Sequence, residues 1–426
     1  MEVAVANDAL SVSDTPTAVA PTQGRGAPLM YSLGMPIAMF GLFIALLPPV
    51  LVAMALKVAE IAPDNQAGVL GLALGIGAFA AMVANPLAGR FSDRTAGRLG
   101  MRRPWIIGGT VVGFAALVVV ATTSSVVVLV IGWGVAQIAY NATIAALTAV
   151  LPDHVTRSQR GRVAALLGLA QNLALVGGTF LVQLFSTSAT QMIVPGAIGS
   201  AVVVLYALVF RDRVLAQRPT SKLGIGQLFG SFVFNPVKHP DLGWAWLTRF
   251  MMVAAQYTAV SYLTYFLRDD IGVDESNLAN AVFQGTLWNV VGIVLTSLVA
   301  GWLSDKLGRR KLFVAVAGVV GVVGLVIIAL APSLGTVLVG EFVMGAGMGV
   351  FYAVDLALIT DVLPSDQDNA KDLGVVNIAQ ALPQSLVPAA APGVIALTGG
   401  YSGFFITGAV VGLLGIASVS RIRGVR

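Results

Sequence analysis

From about residue 30 onwards, long apolar runs alternate with short polar clusters. A helix needs about 20 apolar residues to cross the hydrocarbon core of a bilayer, and twelve runs meet that requirement. The first six cover 31–57, 67–89, 105–122, 125–151, 163–185 and 191–210. The second six cover 242–267, 278–303, 312–331, 334–363, 373–397 and 401–420. The pattern predicts an all-α membrane protein with twelve transmembrane helices in two six-helix bundles, residues 30–210 and 242–420. A cytoplasmic linker, 211–241, joins them, and tails at 1–29 and 421–426 flank them.

Composition agrees. Hydrophobic residues make up 57% of the 426 and charged ones 11%, against about 25% charged in soluble domains. There is no cysteine, which removes disulfides, thiolate metal sites and cysteine nucleophiles. The two histidines, His154 and His239, fall in predicted loops. With no intramembrane histidine and no phosphate-binding loop, neither enzyme chemistry nor direct use of ATP is expected. Residues 1–29 carry Glu2, Asp8 and Asp14 against Arg25 alone. They read as a disordered cytoplasmic tail and not as a secretory signal, which starts basic.

Charge in the loops sets the expected orientation. One set holds Arg90, Arg94, Arg98, Arg102 and Arg103, then Arg157, Arg160 and Arg162. It continues through Arg211, Arg213, Arg218, Lys222 and Lys238, then Lys306, Arg309, Arg310 and Lys311, and ends with Arg421, Arg423 and Arg426. The alternate loops hold almost no cations. By the positive-inside rule, both termini and the linker face the cytoplasm of a cell-membrane protein. Within the linker, 223–234 is either an amphipathic surface helix or ordinary connecting chain.

The two halves repeat. Gly89-Arg-Phe-Ser-Asp93 recurs 212 residues later as Gly301-Trp-Leu-Ser-Asp305. Tyr140 and Leu151-Pro152 recur at the same offset as Tyr352 and Leu363-Pro364, and Ala170-Gln171 is matched by Ala379-Gln380. Three matches in one order indicate duplication. Repeats of six spans share one orientation, which implies a central cavity between them.

The repeated loops read GRFSDRTAGRLGMRR at 89–103 and GWLSDKLGRRK at 301–311. Glycine permits close helix approach, and arginines there can pair with carboxylates or lipid phosphates. The doubled loop with twelve spans resembles the signature of the major facilitator superfamily. That resemblance implies alternating access by rocking of the two halves. It also implies gating roles for Gly89, Asp93, Arg94, Gly301, Asp305 and Arg309. The stretch from Ser92 to Ile106 is similar to the longer loop of sucrose–proton and glycoside–cation symporters, except that Met101 stands where an arginine is usual. Spans 2 and 4 lack the acids of the melibiose type. Leu173-Ala174 stands where drug–proton antiporters carry Gly-Pro.

Ionisable residues inside spans are costly and mark functional candidates. Asp355 lies nine residues before Pro364, about 13 Å from the basic end, near the midplane. It is either a proton-coupling acid or a structural acid paired with Arg249. Glu341 is expected near the outer mouth, as an outer gate, a second protonation site or an interfacial acid. Asp361, at the basic end, is expected to act with the gating loop. Arg249 has three readings: binding an anionic group of the substrate, neutralising Asp355, or snorkelling to the surface.

Amide and aromatic side chains suited to a hydroxyl-rich ligand are Gln137, Tyr140, Asn141, Gln171, Gln256, Tyr257, Trp288, Asn289, Tyr352, Asn377 and Gln380. Interhelical hydrogen bonding is the alternative role for these groups. Prolines 48, 49, 383, 388 and 392 are expected to break helices 1 and 11. The expected activity is proton-coupled symport of a sugar, glycoside or similar polar molecule, with proton-driven export of drug-like compounds as the alternative. The expected partners are a small-molecule substrate, protons and membrane lipids, with no nucleic acid. The chain is expected to be monomeric and without metal or cofactor, the proton gradient supplying the energy.

Overall fold

A computed structural model describes residues 29–215, 239–361 and 369–422. Nearly all of the expected tail 1–29, the stretch 223–234, Arg218, Lys222, Lys238, Pro364, Arg423 and Arg426 lie outside the described residues. So do the side chains of Asp305, Asp361 and Asn377.

Twelve long helices occur among the described residues. The first six are α1 (Met30–Ile61), α2 (Gln66–Asp93), α3 (Arg103–Thr122), α4 (Val126–His154), α5 (Arg157–Val182) and α6 (Ser188–Val209). The second six are α7 (Pro240–Asp269), α8 (Glu275–Leu307), α9 (Arg310–Ala329), α10 (Leu334–Asp361), α11 (Asn369–Thr398) and α12 (Tyr401–Val419). Eleven are apolar enough to cross a membrane. The twelfth, α7, has the length at 30 residues. Its hydropathy is lowered by Gln256, Tyr257, Ser261, Tyr262, Thr264 and Tyr265, the first two half-buried and the others buried. This is a multi-pass membrane protein.

Packing repeats as the sequence does. In the first half α1 packs on α5 and α6, α4 on α2 and α3, and α3 on α6. The second half repeats these pairings six helices on: α7 with α11 and α12, α10 with α8 and α9, and α9 with α12. Glycines set the α8–α10 seam, where a Cβ on Gly345 would meet the Asn289 carbonyl carbon at 2.8 Å. By contrast, Gly89 and Gly301 have room for a methyl group. A Cβ there would meet only Ala145 of α4 and Ala353 of α10, each at 3.9 Å.

The prolines do not break the helices. α11 runs unbroken through Pro383, Pro388 and Pro392. α1 absorbs Pro48 and Pro49 in a widened π-helical turn, Pro49–Ala53. Proline removes a backbone donor, and the carbonyl left free then needs a partner from elsewhere. Pro392 frees the carbonyl of Pro388, which accepts the Tyr262 hydroxyl at 3.3 Å.

That tyrosine belongs to a seal at the cation-poor end. The Tyr262 hydroxyl also donates to Ala67 O at 2.9 Å, Thr264 Oγ1 to Leu51 O at 2.7 Å, and the Tyr265 hydroxyl to Ala55 O at 2.9 Å. Arg268 reaches Gln66 Oε1 at 2.6 Å. In every case the donor is on α7 and the acceptor on α1 or at the start of α2. On the same side, Gly71 and Gly75 of α2 pack on Pro388, Ser385 and Ala389 of α11, and Phe180 of α5 meets Phe283 of α8 edge to face at 5.6 Å. Toward the basic end α5 exposes Gly161, Ala164, Ala165, Gly168 and Gln171. A Cβ on Gly161 or Gly168 would find nothing within 4 Å. Further along α5, Ala174, Gly178 and Val182 are buried. The halves are closed at the cation-poor end and parted at the basic end.

Candidate functional site

The polar side chains converge in the second half. Arg249 Nη1 of α7 donates to Asp355 Oδ2 of α10 at 2.7 Å, and both side chains are nearly buried, 13% and 3% exposed. Arg249, for which the sequence left three readings open, is thus paired with Asp355. One turn from Asp355, the Tyr352 hydroxyl donates to Gln256 Oε1 of α7 at 2.6 Å and engages the Gln380 side chain of α11. Tyr257 lies beside Tyr352. Tyr352 is 38% exposed although its hydroxyl is tied to two helices, so it borders the opening between the halves.

Three atoms here lack hydrogen-bond partners among the described residues: Arg249 Nε, Asp355 Oδ1 and Gln380 Oε1. One is a donor and two are acceptors. Buried polar atoms without partners are rare and costly, and a clustered set calls for a polar ligand or water.

Other candidates lie elsewhere. Tyr140 is fully buried, with its ring against Gly113 and its hydroxyl 3.4 Å from Ser200 Oγ of α6. It belongs to the interior of the first half and not to the cluster. Trp288 is 46% exposed, on a stripe with Leu295, Leu298, Val299 and Trp302. Helical spacing puts these residues on one exposed, apolar side of α8. Gln137 and Asn141 are buried and bonded to each other within α4 at 3.1 Å. Gln171 is exposed on the parted stretch of α5. Asn289 bonds Glu341 and not the Asp355 cluster.

At the basic end, Arg102 is paired with two carboxylates. Its guanidinium meets Ser92 Oγ at 2.5 Å, Asp93 at 2.5 Å and Asp153 of α4 at 2.9 Å. Burial opposes its charge, but the Asp153 and Asp93 carboxylates outweigh that and hold its pKa above the ordinary arginine value. Asp212, just past α6, accepts the backbone N–H groups of Arg102 and Arg103 at 2.6 and 2.8 Å. In the second half Arg310 reaches Ala357 O of α10 at 2.8 Å, while Arg309 is exposed. Gly100 and Gly308, with φ of +96° and +60°, each precede these arginines by two residues. The second loop is four residues shorter, so Arg102 and Arg310 are equivalent, and Arg309 matches Met101. The sequence motif pointed to Arg94 and Arg309 and missed the other pair, for which the glycine two residues earlier in each loop is the available signal.

Comparison with known proteins decides the family. The family described as MFS/sugar transport protein matches residues 65–416. The chain belongs to it. This transporter, which is not an enzyme, is 27% identical over 170 residues to the methylenomycin A resistance protein of Streptomyces coelicolor, covering 37% of this chain and 35% of that one. It is 30% identical over 76 residues to inositol transporter 4 of Arabidopsis thaliana, covering 18% and 13%. The matches thus span about a third or less of these curated relatives. Among solved structures, the nucleoside transporter NupG superposes with a TM-score of 0.73 at 12% identity, covering 92% of this chain and 98% of that one. That likeness bears on the fold alone.

Proposed function

We propose that this transporter carries a sugar, glycoside or similar polar molecule together with a proton. The observation that carries this reading is the convergence of Arg249, Asp355, Tyr352, Gln256 and Gln380, with three buried polar atoms left to be met by a ligand. Arg249 is already neutralised, which favours a neutral, hydroxyl-bearing solute over an anionic one. Gln256, Tyr257, Tyr352 and Gln380 hold the solute, with Gln171 bordering the way in. Asp355 and Glu341 exchange the proton. Gly89, Asp93, Arg94, Gly301, Asp305, Arg309 and Asp361 act in gating at the basic end, together with Arg102 and Arg310.

By the charge of its loops the basic end is cytoplasmic, and the protein sits in the cell membrane as a monomer with both termini inside. The two six-helix bundles rock against each other, and the state described is open at the basic end. Similarity to a resistance protein favours proton-driven export as the second reading. Counterflow of labelled sugars in proteoliposomes tests the first. Exchange of a neutral sugar supports it. Pumping of an amphipathic dye with no sugar exchange overturns it in favour of export.

A further inference from the structure

Glu341 of α10 is 4% exposed. Its described hydrogen-bond partner is Asn289 of α8, whose Nδ2 donates to Glu341 Oε2 at 3.0 Å and to the Glu341 carbonyl at 3.2 Å. No ion pair to Glu341 occurs among the described residues. Arg249 is committed to Asp355, fourteen residues along the same helix, or about 21 Å away.

The helices packed on α10 bring nothing charged to this acid. α8 carries ionisable residues only at its ends, Glu275, Asp305 and Lys306, and α9 only Arg310 and Lys311 at the basic end. α7 offers the phenols of Tyr257, Tyr262 and Tyr265 besides Arg249, and at its ends Asp241, Arg268 and Asp269, of which Arg268 is paired with Asp269 and bonded to Gln66. A lone amide is a poor substitute for water around a carboxylate, and an unpaired buried charge is costly. The site is therefore suited to a neutral carboxylic acid.

Its position links it to the seal. Gly285 of α8, one turn from Asn289, lies against both Glu341 and Leu263. A Cβ on Gly285 would meet Glu341 Cγ at 3.6 Å and Leu263 Cδ2 at 3.7 Å. Leu263 stands between Tyr262 and Thr264, whose hydroxyls close the seal. The α8–α10 seam is held by backbone contact at Gly345 and by Thr296 Oγ1 donating to Ala346 O at 2.8 Å. The carboxyl therefore sits in a rigid wall directly beneath the seal, separate from the Arg249–Asp355 cluster.

We infer that Glu341 is the acid that takes the coupling proton at the cation-poor side, and that the seal closes when Glu341 is neutral and opens when it is charged. Asn289 is a positioning residue that orients the carboxyl. This deepens the reading of a proton-coupled transporter and rests on it.

The chain has no native cysteine, so spin labels can be placed at Asp64→Cys and Asp274→Cys, both exposed at the cation-poor end. The distance between them is read against pH in nanodiscs without substrate. In the otherwise wild-type protein, acidification should convert long distances to short ones, by at most about tenfold per pH unit for one linked proton. Glu341→Gln should be sealed at every pH, Asp270→Asn, which removes an exposed acid at the same end, should keep the response, and Asn289→Ala should move its midpoint. Unfolding temperatures of each variant check that it is folded, and Glu341→Asp provides a second variant that keeps the acid. A wild-type pH response in Glu341→Gln overturns the inference. So does its loss in Glu341→Gln and Asp270→Asn alike, or its absence in the wild type. Because no substrate is present, failure of the sugar assignment in counterflow leaves this result readable on its own.

Discussion

Arg249 and Asp355 stand 106 residues apart in the chain and 2.7 Å apart in space. They join α7 to α10 in the middle of the second half, and neither has an equivalent in the first. The position equivalent to Asp355 is Thr143 of α4, whose hydroxyl returns to its own helix at Ala139 O, 3.2 Å away. The buried arginine–aspartate pair belongs to the second half alone.

Removing one member of that pair leaves the other buried and unpaired. Arg249→Met should destabilise the protein by about 3–5 kcal/mol. Arg249→Met with Asp355→Leu should recover most of the loss, because both desolvation costs disappear together. Unfolding in detergent with increasing denaturant measures both. Equal loss in the single and double variants would count against an energetically coupled pair.

Asp355→Asn should abolish proton-driven accumulation of substrate and spare exchange down a gradient. Proteoliposome uptake with and without an imposed pH gradient tests this. Proton uptake equal to wild type in the variant would remove Asp355 from the coupling.

The seal depends on hydroxyl donors from one helix. Tyr265→Phe and Thr264→Val each remove one hydrogen bond to α1, worth about 1 kcal/mol. Each should therefore shift the balance of sealed and open states roughly fivefold towards open. Labelling of a cysteine introduced at the cation-poor end should rise accordingly, and unchanged labelling in both variants would deny these bonds a role.

Gly71 has a role its helix cannot reveal. A Cβ there would run into Pro388 O and stand 2.8 Å from the Tyr262 hydroxyl. Gly71→Ala should disfavour the sealed state, whereas Gly89→Ala should leave it intact, because a methyl fits against Ala145 at 3.9 Å. The same labelling assay compares the two, and equal effects would contradict the difference in space.

Asp212 caps α3 from 109 residues away. The residue at the helix start, Arg102, offers no side-chain acceptor, and the carboxylate of Asp212 takes that place. Asp212→Ala should cost about 1 kcal/mol, as loss of a helix cap usually does, seen as a lower unfolding temperature. Asp212→Asn should lose less, since the amide oxygen can still accept.

Span positions, the duplication and the family were legible in the sequence, because a bilayer leaves few solutions to the hydrogen-bonding needs of a backbone. The twelve apolar runs and the helices agree to within a few residues at most ends. Hydropathy and spacing report the environment of a helix, and here that environment is imposed by lipid and water. They say little about which helix a side chain meets. Gln256 and Tyr140 look alike as polar groups in apolar spans, yet one borders the opening and the other is enclosed. Trp288 looked like a stacking partner for a ligand and stands on an exposed apolar stripe of α8, apart from the Asp355 cluster. The pairing of Arg249 with Asp355, the capture of Pro388 O by Tyr262 and the isolation of Glu341 beside Asn289 were decided only when helices distant in sequence were packed together. A short-range force such as a hydrogen bond acts between neighbours in space, and the order of residues along one helix does not name them.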